Sequence, residues 1–167
     1  MTFVDVGCGY GFFAIPAANM VGREGRVIGV DVDQEWLECL RRDSEKEGIG
    51  NVETIFGMGE ETVVRRGCAD MVFFGMVLHD FEDPLKVLAN ARLMLKPNAV
   101  LVDLDWKKED GEVGPPVAIR LSKEEASAMI SQQGFAVFSL SDQGRFHYLI
   151  LASPSDPQRP WRSRERA

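Results

Sequence analysis

The sequence predicts one α/β domain: a seven-stranded mixed sheet, six strands parallel and the last antiparallel, with helices on both faces. Three observations carry that expectation. Apolar β-type runs alternate with segments of helical period along most of the chain. The alternation then breaks, because Phe135–Ser141 and Phe146–Ala152 are separated only by Asp142-Gln143-Gly144-Arg145, enough for a hairpin and too little for a crossover helix. Finally, 167 residues with 45% apolar content suffice for one sizeable core and not for two.

Taken in order, Thr2–Val6 reads as the first strand and Phe12–Met20 as the helix after it. Arg26–Val32 is the second strand, followed by a helix over Gln34–Glu47 that Gly48 terminates. Asn51–Phe56 is the third strand. Ala69–Met76 is the fourth, its Phe73-Phe74 pair suited to a strand covered on both sides. Pro84–Leu95 reads as a helix with proline in its first turn, and Pro97 stops it. Ala99–Asp105 is the fifth strand. A helix over Ser122–Gln133 opens with the capping box Ser122-Lys123-Glu124-Glu125 and closes at Gly134, before the terminal hairpin. The domain is expected to span residues 1–153, and residues 154–167, rich in proline and arginine, to form a flexible tail.

The balance of 19 Lys and Arg against 26 Asp and Glu gives a net charge of −7. Without the last fourteen residues, where four Arg stand against Asp156 and Glu165, the body is more acidic still, about −9. Such a body repels a phosphate backbone, which argues against nucleic acid as a partner. Cys8, Cys39 and Cys68 are odd in number and far apart, with no histidine at ligand spacing, so neither a disulfide framework nor a bound metal is expected. No apolar run is long enough to span a membrane or direct export, and a cytoplasmic location is expected.

The chemistry concentrates at Asp5-Val6-Gly7-Cys8-Gly9-Tyr10-Gly11, where the first strand ends and a helix opens, the place where open α/β sheets bind ligands. A glycine-rich turn can also be a tight connection and nothing more. Asp31, however, stands twenty residues beyond Gly11 at the tip of the neighbouring strand, where a carboxylate accepts both hydroxyls of a ribose. Asp33 is the better cap for the next helix. A nicotinamide dinucleotide calls for G-x-G-x-x-G, and here Phe12 holds the third glycine position. Asp5 puts a carboxylate beside the turn, which suits an ammonium better than a pyrophosphate.

These residues, with Gly29-Val30-Asp31 and the reversed last strand, resemble the class I S-adenosylmethionine-dependent methyltransferases over residues 2–152. Within them, Ala69-Asp70-Met71-Val72-Phe73-Phe74, Val77-Leu78-His79-Asp80-Phe81-Glu82-Asp83-Pro84, Leu104-Asp105-Trp106-Lys107-Lys108, Gly114-Pro115-Pro116 and Arg120-Leu121-Ser122 are similar to small stand-alone prokaryotic enzymes of the ubiquinone/menaquinone-biosynthesis-like group. The resemblance implies a Rossmann-like fold, S-adenosyl-L-methionine as cofactor and a small-molecule methyl acceptor. It implies that Asp5, Gly7, Cys8, Gly9 and Gly11 line the methionine part, that Asp31 holds the ribose, and that Val32 covers the adenine. Family members usually place an acid after the glycine that follows the third strand. Here Phe56-Gly57-Met58-Gly59-Glu60 puts Met58 there, so either Met58 with a neighbouring amide such as that of Gly59 meets the adenine, or Glu60 reaches back.

For a hydroxyl or phenol acceptor a general base helps, and His79 is the histidine placed for it, with Asp80 as the second candidate; His79 bonding Asp80 or a loop carbonyl is the structural alternative. His147, inside the last strand, is read as a packing residue remote from the cleft. Asp105 and Trp106, at the end of the fifth strand, are expected on the acceptor side, where Trp106 either covers the sheet edge or meets a planar substrate. Lys107-Lys108 could meet an anionic acceptor or form a solvated loop. The family usually carries helices ahead of the first strand, so the sequence suggests a truncated frame, a minimal form with a wide cleft, or a lid from a partner, with a homodimer as one outcome. A cofactor-binding module without catalysis is the alternative function.

Overall fold

The computed structural model describes residues 1–111 and 113–155. Its sheet contains β1 (Thr2–Val6), β2 (Arg26–Asp31), β3 (Val52–Phe56), β4 (Ala69–Gly75), β5 (Leu95–Trp106), β6 (Phe135–Gln143) and β7 (His147–Pro154). The spatial order is β3-β2-β1-β4-β5-β7-β6. β1 pairs parallel with β2 and β4, β2 with β3 and β4 with β5, whereas β7 lies antiparallel between β5 and β6. Six strands therefore share a direction and the last is reversed, as the hairpin spacing predicts. The chain leaves β1 for β2 on one side and later returns to β4 on the other, so a crevice opens at the carboxyl ends of β1 and β4.

Among the described residues four α-helices flank the sheet: α1 (Ala14–Val21), α2 (Gln34–Lys46), α3 (Pro84–Met94) and α4 (Lys123–Gln132). Their ends follow local chemistry. Asp33 caps α2 by accepting the amides of Glu35 and Trp36 at 2.9 and 3.1 Å. Asp83 caps α3 ahead of Pro84, and α4 has the full capping box, with Ser122 and Glu125 each accepting the other's backbone amide. Against one face, Val87, Leu88 and Ala91 of α3 and Ala126 and Ile130 of α4 pack on Val4, Val72, Phe74, Leu101 and Ile150. Against the other, Ala14 and Ala18 of α1 and Leu37 and Leu40 of α2 cover Phe3, Val27 and Phe73. On that second face Met71, Val100, Leu104, Leu149 and Leu151 are only half-buried.

Most boundaries shift by a residue or two, and three of the differences follow from local chemistry. α1 starts at Ala14 instead of Phe12, because the Gly11 amide closes a turn on the Cys8 carbonyl before the helix can begin. β5 starts at Leu95, ahead of Pro97: Ala69 pairs with Leu95 but Met71 with Val100, so Lys96–Ala99 bulge out and a residue without an amide proton is tolerated there. Two residues expected in the tail are instead held to the sheet and its neighbours. Pro154 still belongs to β7, and the amide of Ser155 donates to the Gly134 carbonyl at 2.9 Å while its own carbonyl accepts Arg92 at 3.0 Å. The rest of the expected tail lies outside the described residues.

Leu88 is fully buried between α3 and the sheet. Leu88→Ala leaves a cavity there, and urea unfolding is expected to show a loss of about 2–5 kcal/mol.

Candidate functional site at the β1 and β4 ends

The glycine turn is fastened to the neighbouring strand. The amides of Gly7 and Cys8 donate to the Val30 carbonyl at 2.8 and 3.1 Å. Gly7 has φ +75, and a β-carbon on it would lie 2.5 Å from a methyl of Val77, so conformation and space both demand glycine. The acid at the tip of β2 completes the lock: Asp31 accepts the Gly9 amide at 2.7 Å through one oxygen and the Asp33 amide at 2.9 Å through the other. Asp33 caps α2 instead, the division of labour read from the sequence.

Asp31 borders a cleft of about 450 Å³ whose wall also includes Gly7, Val32, Met58, Gly59, Glu60 and Asp80. Val32 and Met58 are exposed apolar side chains on that wall. Both residues weighed for the place of the missing acid are present, and they differ: Glu60 is buried, 3.5 Å from the Asp83 amide, while Asn90 donates to the carbonyls of Gly59 and Glu60 at 3.0 and 2.8 Å. Gly59 leaves room for Phe81, whose ring would stand 2.9 Å from a β-carbon at that position.

Other expected residues serve from behind the wall. Cys8 turns its thiol into the core against Gly29 and Leu40, and burial, with the charges of Asp5 and Asp31, pushes that thiol up. Gly9 contributes its amide to Asp31, and Gly11, φ +97, opens the turn into α1. Asp5 is 1% exposed, and neither carboxylate oxygen has a hydrogen-bond partner among the described residues. Burial, then the charge of Asp31, pushes Asp5 up to about 7.

Asp105 and Trp106 lie off the cleft wall, because strand alternation sends Asp105 inward with Leu101 and Asp103. Asp105 is instead the partner of His79, whose Nδ1 stands 2.7 and 2.9 Å from its two oxygens. The Nε2 of His79 is 3.3 Å from Asp80, and the two side chains differ sharply in access, 2% exposed for His79 and 55% for Asp80. His79 is thus withdrawn and Asp80 faces the cleft. Burial alone lowers the His79 pKa, but the hydrogen bond and charge of Asp105, with the charge of Asp80, outweigh it and raise the pKa overall. Trp106 packs on His147 at 4.2 Å between ring centres, and the Arg120 guanidinium lies 5.6 Å from its ring on the approach from the following loop.

His147 requires a correction. Because β7 runs backwards, its first residue pairs with Trp106 at the carboxyl end of β5, so it sits near the crevice end of the sheet and not at the remote end. Lys107 and Lys108 are engaged at 2.9 and 3.0 Å by Asp142 and Glu125. Several wall residues escaped the sequence reading. Trp36 follows the strand-tip acid on the first turn of α2, a signal that was available. Val77 and Met76 had none, since nothing in the residue type announces that Met76 adopts φ +59.

The sequence profile described as a methyltransferase domain matches residues 1–149. The chain belongs to that family. It is 30% identical over 122 residues to the nocamycin O-methyltransferase of Saccharothrix syringae, covering 70% of this chain and 39% of that protein. To the demethylmenaquinone methyltransferase of Geobacillus kaustophilus it is 31% identical over 102 residues, 61% of this chain and 44% of the relative. The chain thus spans about two-fifths of the length of these curated relatives. Among solved structures, a SAM-dependent methyltransferase from Aquifex aeolicus superposes with a TM-score of 0.88 at 30% identity, over 93% of this chain and 82% of that one. The seven-stranded methyltransferase sheet is the shared framework.

Asp5 yields a direct test of the electrostatics. Its folded pKa lies above the carboxylate value of 3.8, so the stability it contributes is present below that value and lost as pH rises toward about 7. Asp5→Asn removes this dependence. The stability of the variant relative to the parent, from unfolding curves without cofactor, is expected to rise between about pH 4 and 7 and level off above.

Proposed function

We propose that the chain is a class I S-adenosylmethionine-dependent methyltransferase acting on a small-molecule acceptor. The observation that carries the reading is the Asp31 carboxylate, fastened to the Gly9 amide and bordering a cleft beside the glycine turn. The donor set suits the cofactor. Asp31 keeps lone pairs for ribose hydroxyls after accepting its two amides. Val32, Met58 and Trp36 supply apolar surface for the adenine, and a thioether packs well on an aromatic ring. Asp5, buried behind the turn without a hydrogen-bond partner among the described residues and disfavoured as an anion by burial, would gain a charge partner from an α-ammonium end. No helix among the described residues is long and apolar enough to cross a membrane.

When bound, S-adenosylmethionine supplies an electrophilic methyl group on a sulfonium. The protein then has chiefly to align and to exclude water, and orientation alone is worth roughly 7–11 kcal/mol in such displacements. The Gly7 turn and the segment from Gly75 to Phe81, packed together through Val77, both line the crevice. Met76, held in its left-handed conformation by donating to the Leu104 carbonyl at 2.7 Å, stores backbone strain where that wall turns.

Calorimetric titration with S-adenosylmethionine is the test. Saturable binding is expected, weakened at least tenfold by Asp31→Ala, and S-adenosylhomocysteine should form when an acceptor is present. Absence of binding by the parent chain removes the basis of the reading.

A further inference from the structure

His79 and Asp80 are adjacent in sequence and opposite in access, and the geometry assigns them to one device. We propose that Asp80, His79 and Asp105 form a proton-accepting relay that serves a methyl acceptor bearing an O–H or N–H. The inference rests on the methyltransferase reading and names the acceptor class for that same cleft.

Three features of the structure support it. His79 is too enclosed to touch an acceptor, yet each ring nitrogen stands within reach of a carboxylate, Asp105 at 2.7 Å and Asp80 at 3.3 Å. Asp80 is the member of the chain that lines the cleft, on the segment that follows β4. Asp105 is 1% exposed and has its second oxygen 2.9 Å from the same imidazole nitrogen, so it fixes the proton on Nδ1 and leaves Nε2 to face Asp80. A buried histidine with one carboxylate behind it and another in front is a base that works through its exposed neighbour. A purely structural histidine needs no carboxylate on the cleft wall.

The step balances as follows. The acceptor's oxygen or nitrogen lone pair forms the bond to the methyl carbon while the carbon–sulfur pair leaves with sulfur. The acceptor's proton passes to Asp80 and from Asp80 to Nε2 of neutral His79, which ends as an imidazolium between two carboxylates. The charged groups acting on His79 are Asp105 from β5, Asp80 beside it and Arg120 ahead of α4. The two acids hold its proton affinity up and Arg120 opposes them, so the relay turns on as pH rises above the ordinary histidine value of 6.5. The nearby cations are otherwise occupied: Lys107 and Lys108 by acids, and Arg120 by the carbonyls of Pro115, Lys107, Glu109 and Val113. The acceptor this cleft suits therefore arrives neutral or as an amine, not as a carboxylate or phosphate.

The relay is tested with probes of known chemistry. Nitrogen-15 NMR of His79 is expected to show a titration midpoint above 6.5, lowered by Asp80→Asn and by Asp105→Asn. Transfer of labelled methyl from S-adenosylmethionine is measured to tyramine and 4-ethylphenol, which carry O–H or N–H, and to 1-methylindole, a carbon nucleophile without either. The expected result is transfer to a protic probe, with a rate that rises through the NMR midpoint. Asp80→Asn should lower that rate about 100-fold at saturating cofactor, and Asp80→Glu should restore part of it. Transfer to 1-methylindole alone, no transfer to either protic probe by a chain that binds the cofactor, or a His79 titration indifferent to Asp80 overturns the proposal. Failure of cofactor binding in the parent chain instead strikes the methyltransferase reading.

Discussion

The hydrogen bond from the Gly9 amide to Asp31 is the contact on which the site depends. It joins the turn after β1 to the tip of β2, so two strands that pair side by side also share a rigid end. Charge-assisted bonds of this kind are shorter and roughly twice as strong as neutral ones, and the carboxylate here accepts a second amide from Asp33. Everything that borders the cleft on the β2 side inherits its position from this clamp. Val32 follows Asp31 directly, and the Gly57 amide donates to the Asp31 carbonyl at 2.9 Å, tying the Met58 segment to the same point.

The framework was legible because its signals are local and redundant. Alternation between apolar runs and helical segments located each strand and α-helix of the described residues, while a four-residue gap between the last two runs was enough to reverse β7. Asp33, Asp83 and Ser122 announced their helices through capping chemistry that depends only on near neighbours. The local geometry was legible where one residue type has one job: the turn glycines take positive φ, and Asp31 stands at the strand tip on the cleft wall. It was not legible where the outcome depends on which strand lies beside which. His147 reads as remote until β7 is known to insert next to β5, which brings it against Trp106. Asp105 reads as facing the acceptor until β5 is known to carry it inward to His79. Local patterns reveal a strand's two faces but not which of them a binding crevice will use.

The loop between β5 and α4 shows how a buried charge can organise a segment with little secondary structure. Arg120 is 5% exposed, and its guanidinium donates to four backbone carbonyls spread over Lys107, Glu109, Val113 and Pro115. Five donors in a rigid fork match that task in a way a lysine cannot. Gly114 packs under the ring of Trp106 in the same loop, with φ +89 and no space for a side chain. The Gly-Pro-Pro run and the arginine four residues after it are thus parts of one staple that closes the segment over the end of β5.

Buried acids mark the other cost this fold accepts. Asp103 is fully enclosed, and desolvation, with the charge of Asp105 beside it, pushes its pKa well above the carboxylate range while the Tyr148 hydroxyl opposes the shift. Burial and the neighbouring carboxylate thus both favour the neutral acid at Asp103. Two ionised carboxylates on the same strand face would repel each other, and the upward shift at Asp103 relieves that repulsion. His79 takes Asp105 and not Asp103 as its hydrogen-bond partner, so the imidazole has one carboxylate behind it and is oriented by it. The strand alternation that hides Asp105 from the cleft is what makes this asymmetry available, since both acids must face the same interior for one to suppress the other.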